Sequence, residues 1–203
     1  MEGALPGAYN GGSLVDLRFD ETCTTSPTLI DNLRNGHLRT LEQRRGSLRK
    51  IRFDVCDNVD FGPGDRSSLT DFARLEVLQV NGHALGAFRQ AWRSQNPHAK
   101  IDSFLSTMLP PSASKLVLWS PDALDLGPAV LRLARVVEIG RYPALKSISI
   151  LPSEGSSRDS ENWIHYSTWA QIGANVSDSL ATIGVQFSVK SQNGYWGHEV
   201  EDV

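Results

Sequence analysis

The stretch Leu75-Glu76-Val77-Leu78-Gln79-Val80 contains the pattern that decides the fold of this chain. The pattern is an apolar residue, two residues of any kind, a second apolar residue, one of any kind, and a third apolar residue. Leu78 and Val80 lie two residues apart, so they point to the same side of an extended strand. Leu75 enters from the preceding turn and can pack beneath them. The segment therefore predicts a short β-strand with one buried side.

The same pattern occurs six times, and successive copies start 34, 27, 38, 32 and 35 residues apart. One such strand cannot bury its apolar side alone, whereas stacked neighbours cover one another, which is why units of this kind occur in arrays. The spacing therefore indicates a repeat protein. The copies are Leu14/Leu17/Phe19, Leu48/Ile51/Phe53, Leu75/Leu78/Val80, Ala113/Leu116/Leu118, Leu145/Ile148/Ile150 and Leu180/Ile183/Val185.

Between the copies, apolar residues change to the spacing of an α-helix. Pro110-Pro111 ends one of these segments, and Pro128 fits the first turn of another. Strands that alternate with helices predict parallel strands joined by right-handed crossovers. We expect an α/β fold, a short irregular solenoid whose curved parallel sheet carries helices on its convex side. The predicted helical segments are residues 27–45, 85–92, 101–109, 128–139 and 163–180.

The pattern also divides the chain. Residues 13–189 form the predicted repeat domain. Residues 1–12, which are rich in glycine, are expected to be a flexible N-terminus, and residues 190–203 a loose C-terminal tail.

Composition excludes several classes of protein. The 203 residues are 40% hydrophobic and 21% charged, which suits one globular domain or a short solenoid. A net charge of −3 gives no concentrated basic surface, so we expect no nucleic-acid partner. The sequence has no apolar run long enough to span a membrane, and from its first residues we expect no signal peptide. The two cysteines are too few for a disulfide scaffold, and the expected location is the cytoplasm or the nucleus.

The motifs of common enzymes are missing from the sequence. There is no Gly-x-Ser-x-Gly nucleophile elbow, no phosphate-binding glycine loop that ends in Lys-Ser or Lys-Thr, and no pair of histidines at zinc-binding spacing. We therefore expect a protein that is not an enzyme and that has no catalytic residue, metal ion or small-molecule cofactor. A hydrolase with an unrecognised site stays open as an alternative.

The repeat also predicts an exposed face. Every second residue of each strand points away from the apolar pattern, and Trp119 does so because it follows Leu118. Arg and Trp are enriched among the interface residues that dominate binding energy. Two alternatives stay open: Trp119 lies under a loop, or Asp16 merely pairs with Lys50 across neighbouring strands. The residues predicted to bind a partner are Arg18, Arg52, Asp54, Gln79, Val117, Trp119 and Leu151.

These copies resemble the strand of leucine-rich repeats, in which an Asn or Cys stands three residues after the third apolar residue. Cys56 fits that position, whereas the other copies carry Thr, His, Pro or Ser there. The resemblance implies a leucine-rich-repeat-like solenoid.

Residues 47–189 are also similar to the repeat regions of fungal F-box-type proteins. The likeness rests on Phe72-Ala73-Arg74-Leu75-Glu76-Val77-Leu78, on Leu109-Pro110-Pro111-Ser112 and on Arg141-Tyr142-Pro143-Ala144-Leu145. No F-box is recognisable. The resemblance implies a protein-interaction module with an unidentified protein partner, such as the substrate-recognition part of a ubiquitin-ligase adaptor without its F-box. A structural or degenerate fragment of a larger repeat protein is the alternative.

Overall fold

The fold is taken from a computed structural model that describes residues 16–20, 45–54, 69–119, 123–152 and 160–190. Its strands form one parallel sheet in the order β1-β2-β3-β4-β5-β6, so each strand pairs with the strands before and after it in sequence. The prediction of an α/β fold with a parallel sheet is confirmed. The strands are β1 (Asp16–Asp20), β2 (Lys50–Asp54), β3 (Val77–Asn81), β4 (Lys115–Trp119), β5 (Ser147–Leu151) and β6 (Gln186–Val189).

Helices lie between the strands from β3 onward. They are α1 (Gly82–Gln95), a 3-10 turn (Ile101–Ser103) that leads into α2 (Phe104–Met108), α3 (Ala123–Glu138) and α4 (Ser160–Thr182). The helical predictions for these segments are confirmed, whereas most of the predicted helix over residues 27–45 lies outside the described residues. None of the described helices is both long enough and apolar enough to cross a bilayer.

Pro128 does not stand in the first turn of its helix, as the sequence had suggested. The helix α3 begins at Ala123, so Pro128 lies inside it. The ring of a proline conflicts with the carbonyl four residues earlier, which here belongs to Leu124 in the first turn. Only this one carbonyl loses its helical donor, and Pro128 itself is exposed. The helix therefore extends one turn further toward its N-terminus than proline placement predicts.

The apolar pattern is in register from strand to strand. Leu78 is paired with Ile51 on one side and with Leu116 on the other, and Leu116 is in turn paired with Ile148. All four side chains are 0% exposed. Burial of a Leu or Ile side chain stabilises a fold by about 1.5–3 kcal/mol relative to exposure. The rows of the repeat are therefore the centre of the core.

A four-residue turn precedes β3, β4 and β5. In each turn the first and fourth residues are buried. Pro111 and Pro143 stand at the second position, which proline favours because its fixed φ suits the turn. The N–H of the fourth residue donates to the carbonyl of the first over 3.0 Å from Leu75 to Phe72, 3.0 Å from Ala113 to Pro110 and 3.1 Å from Leu145 to Tyr142.

The residue immediately before β2, β3 and β4 joins each of these strands to the next copy of the repeat. Its carbonyl accepts two backbone N–H groups from the next copy, and this arrangement occurs three times in succession. Equal hydrogen bonding at equal positions keeps the strands in register. Arg49 accepts from Glu76 and Val77 (2.7 and 2.9 Å), Glu76 from Ser114 and Lys115 (2.7 and 3.0 Å), and Ser114 from Lys146 and Ser147 (2.8 and 3.1 Å).

The helices cover the apolar side of the sheet. The ring of Phe88 on α1 packs edge-on against Phe53 of β2, with centroids 5.1 Å apart. A Cβ at Gly127 of α3 would come within 2.8 Å of Ile172 on α4, so these helices approach each other closely. The core therefore lies between the sheet and the helices.

The sixth copy of the pattern was wrongly placed. Leu180 lies in the last turn of α4, and Ile183 is 44% exposed in the turn that follows. The apolar pair of the sixth strand is Phe187 and Val189, which are in register with Ile148 and Ile150. Lys190, the first residue of the predicted tail, donates its backbone N–H to the Ile150 carbonyl over 2.9 Å. Residues 1–12 and 191–203 lie outside the described residues.

Candidate interaction face

The side of the sheet that points away from α1, α3 and α4 is the candidate site, and we call it the outer face. Strand alternation and the register of the pairs assign its residues. The charged side chains described on β2 to β5 of this face are Lys50, Arg52 and Lys115, and all are cationic. The remaining members on β3 to β6 are Val77, Gln79, Asn81, Val117, Trp119, Ser147, Ser149, Leu151, Gln186 and Ser188.

Arg52 and Trp119 form the most specific contact on the outer face. The guanidinium carbon of Arg52 lies 3.9 Å from the centroid of the Trp119 ring, which is a cation–π geometry. The two residues stand on β2 and β4, with β3 between them. Strands are about 4.8 Å apart, so the two side chains together bridge about 10 Å above β3. Both side chains remain only partly buried.

Three of the predicted partner-binding residues are not exposed. Gln79 is 2% exposed, Val117 is 4% exposed and Leu151 is 3% exposed, so the prediction that they offer surface to a partner is wrong. Gln79 is in register with Arg52, and Leu151 is in register with Trp119. The accessible part of the outer face is therefore narrower than alternation alone predicts.

Arg18 and Asp54 are placed by the backbone only. Arg18 is in register with Arg52, and Asp54 ends β2 opposite Asp20. The side chains of these residues lie outside the described part of the structure. Their role in binding stays a prediction, as does the pairing of Asp16 with Lys50.

Lys50 and Lys115 belong to one row of the outer face and were not among the residues predicted to bind. Val77 separates them, since it is in register with Lys50 on β2 and with Lys115 on β4. Both lysine side chains are partly exposed. Together with Arg52 they are the cationic side chains described on this part of the outer face, and of the three only Arg52 is seen to contact the Trp119 ring. The signal in the sequence that could have identified these residues is the alternation of basic and apolar residues, as in Lys50-Ile51-Arg52-Phe53.

Asn81 has a structural role at the end of β3. Its side-chain oxygen accepts a hydrogen bond from the backbone N–H of Ala84 over 2.9 Å, which makes Asn81 the N-cap of α1. An Asn directly before an apolar helical segment is a helix-start signal in any sequence. The residue therefore turns the chain from the sheet into the helix layer.

Among the described residues, no group of three or more His, Cys, Asp or Glu side chains is arranged to hold a metal ion. No protein-family model, curated protein or solved structure matches the chain.

Proposed function

We propose that this chain is a non-enzymatic protein-interaction module, a leucine-rich-repeat-like solenoid that presents the outer face of its parallel sheet to a protein partner. The sequential strand order and the threefold recurrence of the pre-strand carbonyl contact support the solenoid. The copies that contain β2 to β5 contact one another in the same way, as the units of a repeat protein do.

The observation that carries the proposal is the stack of Arg52 on Trp119 on the side of the sheet away from the helices. Tryptophan and arginine supply large contact areas, and they dominate binding energy in many interfaces. The stack holds both side chains in a defined position, which lowers the entropy cost of ordering them on binding. Lys50 and Lys115 add positive charge elsewhere on the same face, which would favour a partner surface with negative charge.

The similarity of residues 47–189 to the repeat regions of fungal F-box-type proteins suggests a more specific role. In that role the outer face would recognise a substrate for a ubiquitin ligase. Only the resemblance supports this part of the proposal.

The test is capture of partners with the wild-type chain and with Trp119→Ala. Truncation of a dominant interface residue costs at least about 2 kcal/mol, so we expect captured partners to bind Trp119→Ala about thirtyfold more weakly. Arg132→Ala is the matched control, because Arg132 is exposed on α3, on the other side of the sheet.

Thermal melting followed by circular dichroism checks that both variants are folded. A partner that binds Trp119→Ala as tightly as it binds the wild type, but binds Arg132→Ala weakly, would place the interaction on the helices and contradict the proposal.

A further inference from the structure

The outer edge of β6 carries hydrogen-bonding groups that no described residue pairs with. The N–H groups of Gln186 and Lys190 donate to Lys146 and Ile150 over 2.8 and 2.9 Å, so these residues face β5. In a strand of a parallel sheet, each residue directs its N–H and its C=O to the same side, and successive residues alternate between the two sides of the strand. The N–H and C=O groups of Phe187 and Val189 therefore point outward, away from the sheet.

The side chains at this edge are also incompletely covered. Phe187 and Val189 are only partly buried, although they pack against the core. The residues in register with them on β5, Ile148 and Ile150, are 0% exposed. The difference arises because β5 has a strand on each side, whereas β6 ends the strand order. A further strand beside β6 would complete the burial of this apolar pair.

The side of α4 next to this edge is made of small residues. A Cβ at Gly173 would contact Phe187 and Val189 at 3.3 Å, whereas Ile172 faces Gly127 of α3. Ile172 and Gly173 thus mark the parts of the α4 surface that face α3 and β6. By helical geometry, the surface that continues round the helix past Gly173 points away from α3. That side consists of the exposed Ala170, Ala174 and Ala181, with the partly buried Ser177 among them. A second helix could approach α4 closely there.

We propose that a second copy of this chain occupies the edge, with the two β6 strands antiparallel and related by a twofold axis at Ser188. In this register Phe187 of each copy lies opposite Val189 of the other. Because both residues direct their N–H and C=O outward, each such pair exchanges two hydrogen bonds, and every outward group of the two residues is satisfied. The two sheets become one continuous sheet, and the two α4 helices become neighbours.

The side chains of β6 are self-complementary in this register. The pair of Phe187 with Val189 of the second copy joins an aromatic to a β-branched residue, which is a favourable cross-strand combination. Ser188 meets Ser188, where hydroxyl groups can bond to each other. Gln186 meets Lys190 of the second copy, so no like charges face each other. A twofold interface requires this kind of self-complementarity, because the same surface is used twice.

The oligomeric state of the full chain tests the proposal. Analytical ultracentrifugation should show a reversible dimer with a dissociation constant of about micromolar or weaker, because an edge strand with a helix side is a small interface. Gln186→Lys places two lysines opposite each other twice per dimer, so the dissociation constant should rise about two- to thirtyfold. Gln186→Glu, the matched variant, creates two opposite-charge pairs and should lower it. Gln186 is exposed, so neither change disturbs the fold.

A cross-link checks the register independently. Ser188→Cys, introduced together with Cys23→Ser and Cys56→Ser, should form a disulfide-linked dimer on mild oxidation, because residues opposite each other in such a pair have Cβ atoms about 4.5–5.5 Å apart. Ser149→Cys in the same background is the control, since Ser149 lies on β5, one strand inside the edge. Circular dichroism verifies that these variants are folded.

Three outcomes would overturn the proposal. One is a wild-type chain that sediments as a monomer up to about 1 mM, a concentration at which even weak interfaces form. Another is a dimer whose stability is the same in Gln186→Lys and Gln186→Glu. The third is a folded Ser188→Cys variant that does not cross-link more than Ser149→Cys, as expected if the edge instead accepts a strand of another repeat segment.

Discussion

The guanidinium of Arg52 stacks on the ring of Trp119 across an intervening strand, with 3.9 Å between the guanidinium carbon and the ring centroid. The contact therefore joins β2 to β4 on the outer face, in addition to the backbone hydrogen bonds that each strand makes to β3. Contacts of this kind are worth about 0.5–2 kcal/mol, with larger values for more desolvated pairs. The pair thus contributes to stability as well as to the proposed interaction surface.

A double-mutant cycle on Arg52→Ala and Trp119→Ala should measure this contact. We expect a coupling energy of about 0.5–2 kcal/mol from urea unfolding of the wild type, both single variants and the double variant. Each single variant should still unfold cooperatively, because neither side chain is fully buried.

The pair of Arg49 and Glu76 provides a matched control for that cycle. Their charged atoms are 3.7 Å apart, but the side chains are 55% and 50% exposed. Exposed ion pairs typically contribute about 0.2–1 kcal/mol or less, so the coupling should be at the lower end of this range. Equal coupling in both pairs would show that Arg52 and Trp119 interact only as exposed side chains do.

The N-cap of α1 predicts a second stability effect. Asn81→Ala removes the oxygen that accepts the Ala84 N–H, and loss of a cap costs about 0.5–2 kcal/mol. Asn81→Asp keeps an acceptor in the same place and should be less destabilising. Chemical denaturation measures both, and an equal loss in the two variants would mean that the amide of Asn81, and not its cap oxygen, stabilises the helix.

Two glycines should respond to alanine in opposite directions. Gly184 has φ of 78° and closes α4, where its N–H donates to Ala181 and the N–H of Val185 donates to Leu180. This is the hydrogen-bond pattern of a Schellman motif. An L-residue in that conformation costs about 1–2 kcal/mol, so Gly184→Ala should lower the free energy of unfolding by that amount.

Gly86 lies within α1, and a Cβ built on it meets no atom within 4 Å. Gly86→Ala should therefore raise the free energy of unfolding by about 0.5–1 kcal/mol, because alanine is the better helix former. Thermal and urea unfolding of both variants checks the contrast. A stabilising Gly184→Ala would contradict the Schellman assignment.

The sequence was sufficient for the strands from β1 to β5, because their signals are local. In each of these copies the apolar residues stand at the same spacing, and before β3, β4 and β5 that spacing coincides with a turn, two of which contain Pro111 and Pro143. From β3 onward, parallel pairing then follows from the helices between the strands. The side to which a strand residue points can be predicted from its neighbours in sequence alone, without reference to distant residues.

Exposure on the outer face depends on contacts that are not local. Alternation placed Gln79 on this face, but Gln79, which is in register with Arg52, is only 2% exposed. No sequence spacing encodes a contact across a strand that intervenes, such as that of Arg52 with Trp119. The same limitation explains the errors at Val117 and Leu151, which are covered although they face away from the helices.

The error at β6 has a different cause. Leu180 and Val185 match the apolar pattern, but they are residues of the helix end, where each is buried next to the turn. Gly184 is the signal that distinguishes a helix end from a strand here, because a glycine after a helical segment ends the helix. The alternation of Phe187 and Val189 directly after it then locates the strand.

Tyr142 predicts how stability changes at alkaline pH. Its hydroxyl donates to the carbonyl of Ser106, and burial raises its pKa from the ordinary value of 10.0, although Arg141 opposes this shift. Below pH 10 the phenol is protonated in both the folded and the unfolded chain, so this stabilisation is fully present. As pH rises further the unfolded chain releases its proton first, and the free energy of unfolding falls until pH exceeds the pKa in the folded state.

The contribution of Tyr142 is isolated by comparison with Tyr142→Phe. At neutral pH the variant should be less stable by about 1–3 kcal/mol, because the buried Ser106 carbonyl loses its donor. Above pH 10 the wild type should lose stability more steeply, by up to about 1.4 kcal/mol per pH unit, since the variant has no proton to release there. Urea unfolding between pH 8 and about pH 11 measures the difference. Parallel pH profiles would mean that Tyr142 titrates in the folded chain as it does in the unfolded one, and would contradict its burial against Ser106.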